Sequence, residues 1–293
     1  MKLTLDSLLV LNTINRVGTF AKAATELHRV RSAVTYTVNK LEQDLGITIF
    51  DRSGYHVKLT PEGEILLREG NRVLMQASQI ESMFKRMKSG WEESISIAVD
   101  DTITIEKFLP FLKLFYEACP TMRLKISAEI LSGTWFALTN GRADIAIGVS
   151  GDVPASSQFA IKPIGVMNFV FAVSPEHPLA KLQEPLPNEE IIKYRSVVVM
   201  DTGNLDRYSG TLTGQETLTV TSMKAKINAQ ITGLGVGYLP LHLIKQAIQA
   251  GQLIPKEVEK GKPSAHFSMA WHVDKVGKGM QWFLDHIKEN FWT

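Results

Sequence analysis

The feature that most constrains this chain is a series of short helical segments with sharp stops, packed into its first sixty residues. Leu5 to Val17 is rich in apolar residues, and Gly18 follows as a C-cap. Thr19 is placed to N-cap a second segment, Phe20 to Leu27, where Ala23 and Ala24 are small enough to admit a close helix neighbour. After the turn His28-Arg29-Val30, a third helix is predicted from Arg31 to Leu45, ending at Gly46. Within it Val34, Val38, Leu41 and Leu45 recur at i, i+4, i+7 and i+11, which makes one buried stripe. Arg31, Ser32, Thr35, Tyr36, Asn39 and Lys40 are left on or near the open face. Thr48-Ile49-Phe50 and Tyr55 to Leu59 then flank the turn Asp51-Arg52-Ser53-Gly54 and predict a short β-hairpin.

Thr60-Pro61 starts a new helix, with the hydroxyl as N-cap and proline at the first helical position. It is predicted to run to about Lys88, roughly 40 Å at 1.5 Å per residue. Leu66, Val73, Ile80 and Met87 lie seven apart, flanked by Gly70, Ala77 and Phe84. That seam suits pairing between two subunits, with packing on its own domain as the alternative. From Trp91 onward strands and helices alternate. Strands are expected at Ser94–Val99, Leu124–Ile130, Ala143–Val149, Phe169–Val173, Ser196–Met200, Thr217–Val220 and Phe267–His272. Helices are expected at Ile105–Ala118, Trp135–Asn140, Met223–Thr232, after Pro240, and at Gly279–Asn290. This alternation predicts α/β layers with mostly parallel sheets.

The bulk properties fit a two-domain globular chain: 293 residues, 44% hydrophobic and 21% charged. Cys119 is the sole cysteine, which removes any intrachain disulfide framework. The N-terminus carries Asp6, Asn12 and Asn15 and lacks the apolar core of a signal peptide. No apolar run approaches the ~20 residues of a membrane span. A cytoplasmic protein without membrane attachment is expected. The first ninety residues hold 13 Lys and Arg against 9 Asp and Glu, and the remainder 19 against 21. A basic head on a slightly acidic body suits a phosphate-binding module attached to a neutral sensor.

The ordered pattern Gly18-Thr19-Phe20, Ala23-Ala24, Leu27, Ser32-Ala33-Val34-Thr35, Leu41-Glu42, Leu45-Gly46, Ile49-Phe50-Asp51-Arg52 and Leu59-Thr60-Pro61-Glu62-Gly63 resembles the LysR-type transcriptional regulators. Looser features extend the resemblance to the C-terminal part: Gly141-Arg142-Ala143-Asp144-Ile145 and the run Gly233 to Pro240. It implies an α/β protein with an N-terminal winged helix-turn-helix (1–60), a linker or dimerisation helix (61–90) and a two-lobed, periplasmic-binding-protein-like effector domain (91–293). Lobe I would span about 91–163 plus 267–293, and lobe II about 164–266. The implied partners are double-stranded DNA, a small-molecule effector, a second copy in a homodimer or homotetramer, and RNA polymerase. No cofactor is implied. Val30 and Arg31 depart from the family, which commonly has Ser then Gln there. The third helix therefore lacks a hydroxyl cap.

For such a head, the third helix presents a few side chains to the major groove. Arg31 suits a guanine edge, Thr35 and Tyr36 a thymine methyl or phosphate, and Asn39 an adenine edge or phosphate. Ser32 lies among them, and Arg29 offers a further phosphate or base contact. On the wing, Arg52, Tyr55, His56 and Lys58 face the DNA backbone. Ligands of two-lobed α/β domains sit at strand C-terminal ends, which nominates Asp100, Thr102, Ser132, Ser150, Met200, Thr202 and Ser222 for effector binding. Asp100 and Asp101 bring negative charge there, either to cap a helix or to disfavour an anionic effector. A small aromatic or hydroxylated effector is expected.

The main rival from another class is an enzymatic or small-molecule-binding α/β protein with no role in gene regulation. Gly233, Gly235 and Gly237 do not form G-x-G-x-x-G, so a dinucleotide site is disfavoured. His28, His56, His177, His242, His266, His272 and His286 show no H-E-x-x-H spacing, and no G-x-S-x-G elbow occurs. A non-enzymatic regulator is expected.

Overall fold

A computed structural model describes residues 2–52, 57–151, 158–203, 209–259, 261 and 264–292. The chain divides into two compact units, Met1–Phe84 and Lys85–Thr293.

The first unit holds α1 (Leu5–Val17), α2 (Phe20–Glu26), α3 (Arg31–Leu45), the two-residue strands β1 (Phe50–Asp51) and β2 (Lys58–Leu59), and most of α4 (Pro61–Ser89). Its helix ends follow local chemistry. Thr4 Oγ1 accepts from Ser7 N at 3.1 Å, and Thr19 Oγ1 accepts from Lys22 N at 3.2 Å. Gly18 and Gly46 close α1 and α3 in the left-handed region, at φ 78° and 69°. Val30 precedes α3 with no side-chain cap. Val10, Leu11, Ile14, Ala23, Val34, Val38, Leu41, Ile49 and Phe50 form one buried core. Each large side chain there contributes roughly 2 kcal/mol by leaving water. Leu45 falls outside the core and is exposed, although the stripe predicts it inside.

α4 begins on this core. Leu66 and Leu67 pack against it, and Asn12 Nδ2 donates to Asn71 Oδ1 at 2.5 Å. Gly63 makes a tight approach: a Cβ there would stand 2.2 Å from the carbonyl oxygen of Ile49. Further along, Val73, Ile80 and Phe84 are exposed. The Met87 side chain lies outside the described residues.

The second unit is built in two lobes. Lobe I contains β3 (Ser94–Asp100), α5 (Ile105–Ala118), β4 (Arg123–Glu129), α6 (Gly133–Thr139), β5 (Ile145–Val149) and β6 (Phe159–Met167). Lobe II contains β7 (Phe169–Val173), α7 (Asn188–Ile191), β8 (Ser196–Val199), β9 (Thr217–Val220), α8 (Met223–Ile231), β10 (Gly237–Pro240), α9 (Leu241–Gln249) and β11 (Ile254–Lys256). The chain returns to lobe I through β12 (Ala265–His272) and α10 (Lys278–His286).

The lobe I sheet has the order β4-β3-β5-β12-β6. β3 is parallel to both β4 and β5, while β12 is antiparallel to β5 and β6. In lobe II, β10-β7-β11 is antiparallel and β8-β9 is parallel. The expectation of mostly parallel sheets is thus corrected. One strand leads out of lobe I and another leads back, so β6 and β12 pair in opposite directions. β6 is a strand that sequence reading omitted because it contains Pro163 and Gly165; at a sheet edge, proline costs no ladder bond. The lobe I core gathers Phe108, Phe115, Phe283 and Trp292 with β-strand isoleucines. Phe115 and Phe283 stack at 4.6 Å.

Candidate functional site

Burial of Val34, Val38 and Leu41 turns the opposite face of α3 outward. Arg31, Ser32, Tyr36 and Asn39 are exposed there and Thr35 is half-buried, so the helix brings these five nominated residues onto one side. Arg31 stands in the first turn and accepts or donates no side-chain bond among the described residues. Lys58 is exposed on β2, opposite Asp51 in the hairpin register. Tyr55 and His56 lie outside the described residues.

The other two nominated arginines are engaged within the head. Arg29 makes a two-pronged bond to Asp6, Nη1 to Oδ2 at 2.9 Å and Nη2 to Oδ1 at 2.6 Å. This contact ties the turn before α3 to the start of α1 and holds the Asp6 carboxyl below its ordinary pKa. Arg52 donates from Nη2 to Asn39 Oδ1 at 2.8 Å and to Glu42 Oε2 at 2.9 Å. Its guanidinium carbon stands 5.0 Å from the centre of the Phe20 ring. Glu42 Oε1 in turn accepts from Ile49 N at 2.8 Å and Phe50 N at 3.3 Å. The wing strand is therefore fastened to α3 through Glu42, a residue absent from the sequence nominations. Its signal was present in the Leu41-Glu42 pair of the head pattern.

The nominated cleft residues lie at or just after strand ends, and five of the seven carry side-chain hydrogen bonds within the chain. Asp100 closes a turn by accepting from Thr102 N at 2.9 Å. Ser132 Oγ donates to Asp201, 2.9 Å from Oδ1 and 2.7 Å from Oδ2, while Ser132 N approaches Oδ1 at 3.1 Å. Thr202 Oγ1 donates to Glu129 Oε2 at 2.7 Å and accepts from Ile130 N at 2.9 Å. Arg142 balances the buried Glu129 carboxylate at 2.9 Å. Ser222 caps its own helix, accepting from Ala225 N at 3.1 Å. Ser150 is half-buried at the end of β5, and Met200 is exposed after β8.

These bonds draw lobe I and lobe II together. At Gly133 an added Cβ would stand 1.9 Å from Thr202 Oγ1, and at Gly203 2.0 Å from Ser132 Oγ. Asp101 accepts from Met223 N, and His242 Nε2 donates to the Thr102 carbonyl at 3.0 Å. Burial lowers the His242 pKa, against the smaller raising effect of its bond to the Thr102 carbonyl. Beside Asp101 and Met223 opens a cavity of about 870 Å3, walled chiefly by Val99, Ile103, Leu109, Ile126 and Ile227. None of the seven nominated cleft residues lines it. Its walls come from β3, β4 and the loop after β3 together with faces of α5, α8 and α9. Among the described residues, no group of three His, Cys, Asp or Glu side chains could hold a metal, and no helix is long and apolar enough to cross a membrane.

Comparison with known proteins agrees with this division. Residues 5–64 match the family model described as bacterial regulatory helix-turn-helix protein, lysR family, and residues 88–292 match the LysR substrate binding domain. The chain is 39% identical to the uncharacterized HTH-type transcriptional regulator YeeY of Escherichia coli K12, over 99% of this chain and 94% of that protein. It is 34% identical to the probable HTH-type transcriptional regulator YhaJ of the same organism, over 99% and 97%. Two solved structures share the fold. A full-length OxyR variant from Pseudomonas aeruginosa has TM-score 0.57 and 21% identity, covering 97% of both chains. Full-length CbnR complexed with its target DNA has TM-score 0.59 and 17% identity, covering 97% of this chain and 99% of that one.

Proposed function

The chain belongs to the LysR family of DNA-binding transcriptional regulators, and we propose that it reads its operator with the open face of α3. Its relatives are named as regulators and not as enzymes, and the chain is a regulator with an effector-binding domain. The observation that carries the DNA assignment is the separation of faces on α3: Val34, Val38 and Leu41 inside, and Arg31, Ser32, Thr35, Tyr36 and Asn39 together on the other side. In this reading Arg31 pairs with a guanine edge, Ser32, Thr35 and Tyr36 complete the groove contacts, and Lys58 holds phosphate. Arg29 and Arg52 serve mainly by positioning the helix and wing.

The effector enters between the lobes, where Asp100, Thr102, Ser132, Ser150, Met200, Thr202 and Ser222 surround the strand ends. It exchanges contacts with the internal bonds of Asp201 and Glu129. The cavity beside Asp101, which those seven residues do not line, has mainly apolar walls suited to the aromatic part of a small effector, and the hydroxyls of the nominated residues suit its hydroxyl groups. The working assembly is a homodimer or homotetramer paired along α4, supported by the exposed Val73, Ile80 and Phe84. The regulator acts in the cytoplasm on double-stranded DNA and on RNA polymerase. Footprinting of the full chain on DNA upstream of its own gene tests the reading. A protected, roughly two-fold symmetric site is expected; binding without sequence preference would contradict it.

A further inference from the structure

The Arg52–Asn39 bond has a consequence for what Asn39 presents to DNA. An arginine guanidinium has donors only, so the amide atom facing it must be the oxygen. Asn39 Oδ1 accepts from Arg52 Nη2 at 2.8 Å. The same Nη2 donates to Glu42 Oε2 at 2.9 Å, and Glu42 is anchored by two backbone N–H groups of the wing. With the guanidinium also lying over the Phe20 ring, Arg52 is held from three sides. The amide of Asn39 is therefore oriented from behind. Its Nδ2 has no acceptor among the described residues and stands on an exposed position of the α3 face.

Adenine readout by asparagine needs the oxygen and the nitrogen side by side on one edge, accepting from N6 and donating to N7. Here the oxygen is turned back toward the wing. We propose that Asn39 is a donor-only contact to a DNA acceptor atom, either guanine N7/O6 or a phosphate oxygen, and that Arg52 is the positioning residue that enforces this. The proposal rests on the reading that α3 docks on DNA, and of the two contacts expected from sequence, an adenine edge or a phosphate, it removes the adenine edge.

The full chain is used to select sequences from a random duplex pool, and affinities for the selected site are measured for Asn39→Asp, Asn39→Ala, Arg52→Met and the double variant. Asn39→Asp keeps the acceptor that Arg52 needs but replaces the outward donor with a charged acceptor. It is expected to keep its melting temperature and bind roughly 100-fold more weakly, because a bond is lost and repulsion gained. Asn39→Ala is expected to bind about 5-fold more weakly. Loss of preference at one guanine position would identify a base contact; an unchanged motif with uniformly weaker binding would identify phosphate. Arg52→Met keeps an apolar stem over Phe20, and the part of its effect on affinity that acts through Asn39 should be lost in the Asn39→Ala background, leaving only what Arg52 contributes through Glu42. A merely structural role would persist there in full. Selection of adenine opposite Asn39, wild-type affinity in a folded Asn39→Asp, or additive effects of the two positions would overturn the proposal. Failure of the wild-type chain to enrich any sequence would instead refute docking by α3.

Discussion

The Asp101 carboxylate accepts a hydrogen bond from the backbone N–H of Met223, so a loop of lobe I caps the first turn of α8 in lobe II. The sequence left two roles open for the Asp100-Asp101 pair. In the structure Asp100 closes its own turn on Thr102, and Asp101 reaches across to cap a helix of the other lobe. A helix N-terminus attracts anions because its first N–H groups lack partners within the helix. At α8 that demand is met from within the chain by Asp101 and Ser222.

Asp101→Ala is expected to lower the unfolding free energy of the second unit by about 1–2 kcal/mol, through loss of a charged helix cap. Asp101→Asn, which retains an acceptor, should lose less. Urea unfolding of the two variants checks the order, and equal stability of Asp101→Ala and wild type would remove the capping role.

The Arg29–Asp6 pair makes a pH-dependent prediction. The Arg29 guanidinium depresses the Asp6 pKa in the folded chain. The stability from this pair is fully present above the ordinary aspartate value of about 4 and disappears as pH falls through the lower folded value. Arg29→Ala should therefore lower the urea midpoint at about pH 6, and the difference from wild type should shrink progressively as pH falls below about 4. A gap between the variants that stays constant down to low pH would assign the effect to lost packing of the arginine stem.

Glu92 holds the start of α10 with both oxygens, accepting from Gly277 N at 2.8 Å and from Gly279 N and Met280 N at 3.0 Å each. Glu92→Ala leaves these N–H groups without their acceptor and is expected to cost about 2 kcal/mol. Hydrogen exchange should accelerate at Gly279 and Met280. Unchanged protection there would show that the cap is dispensable.

Gln230 is fully buried in α8, and neither of its side-chain polar atoms has a hydrogen-bond partner among the described residues. Gln230→Leu removes that unmet demand at similar size. It should raise stability by about 1–2 kcal/mol, read as a higher melting temperature. A lower melting temperature would mean that the amide is satisfied in solution.

The parts of this molecule that were legible in the sequence are those decided over one or two turns of chain. Thr19 and Thr60 cap helices because their hydroxyls need only reach the third residue onward, and Val34, Val38 and Leu41 declare a face by spacing alone. Strand ends such as Val149 and Val220 were legible for the same reason. What those ends touch was not: Asp101 and Met223 are 122 positions apart, and Ser132 and Asp201 are 69 apart. Arg52 shows the limit most clearly. As a wing arginine it reads as a phosphate contact, yet its bonds to Asn39 and Glu42 make it part of the support for α3. β6 was hidden because Pro163 breaks the strand pattern while edge placement removes the cost.

The central claim is that the open face of α3 carries operator recognition, with Arg31 exposed at its start and Arg29 spent on Asp6. It is tested most directly by DNase footprinting and affinity measurement of wild type, Arg31→Ala and Arg29→Ala on DNA upstream of the gene. Arg31→Ala should keep its fold and lose specific protection, a fall of about 1–3 kcal/mol in preference for operator over unrelated DNA. Arg29→Ala should retain most of that preference. An unchanged footprint and affinity for Arg31→Ala would contradict the account.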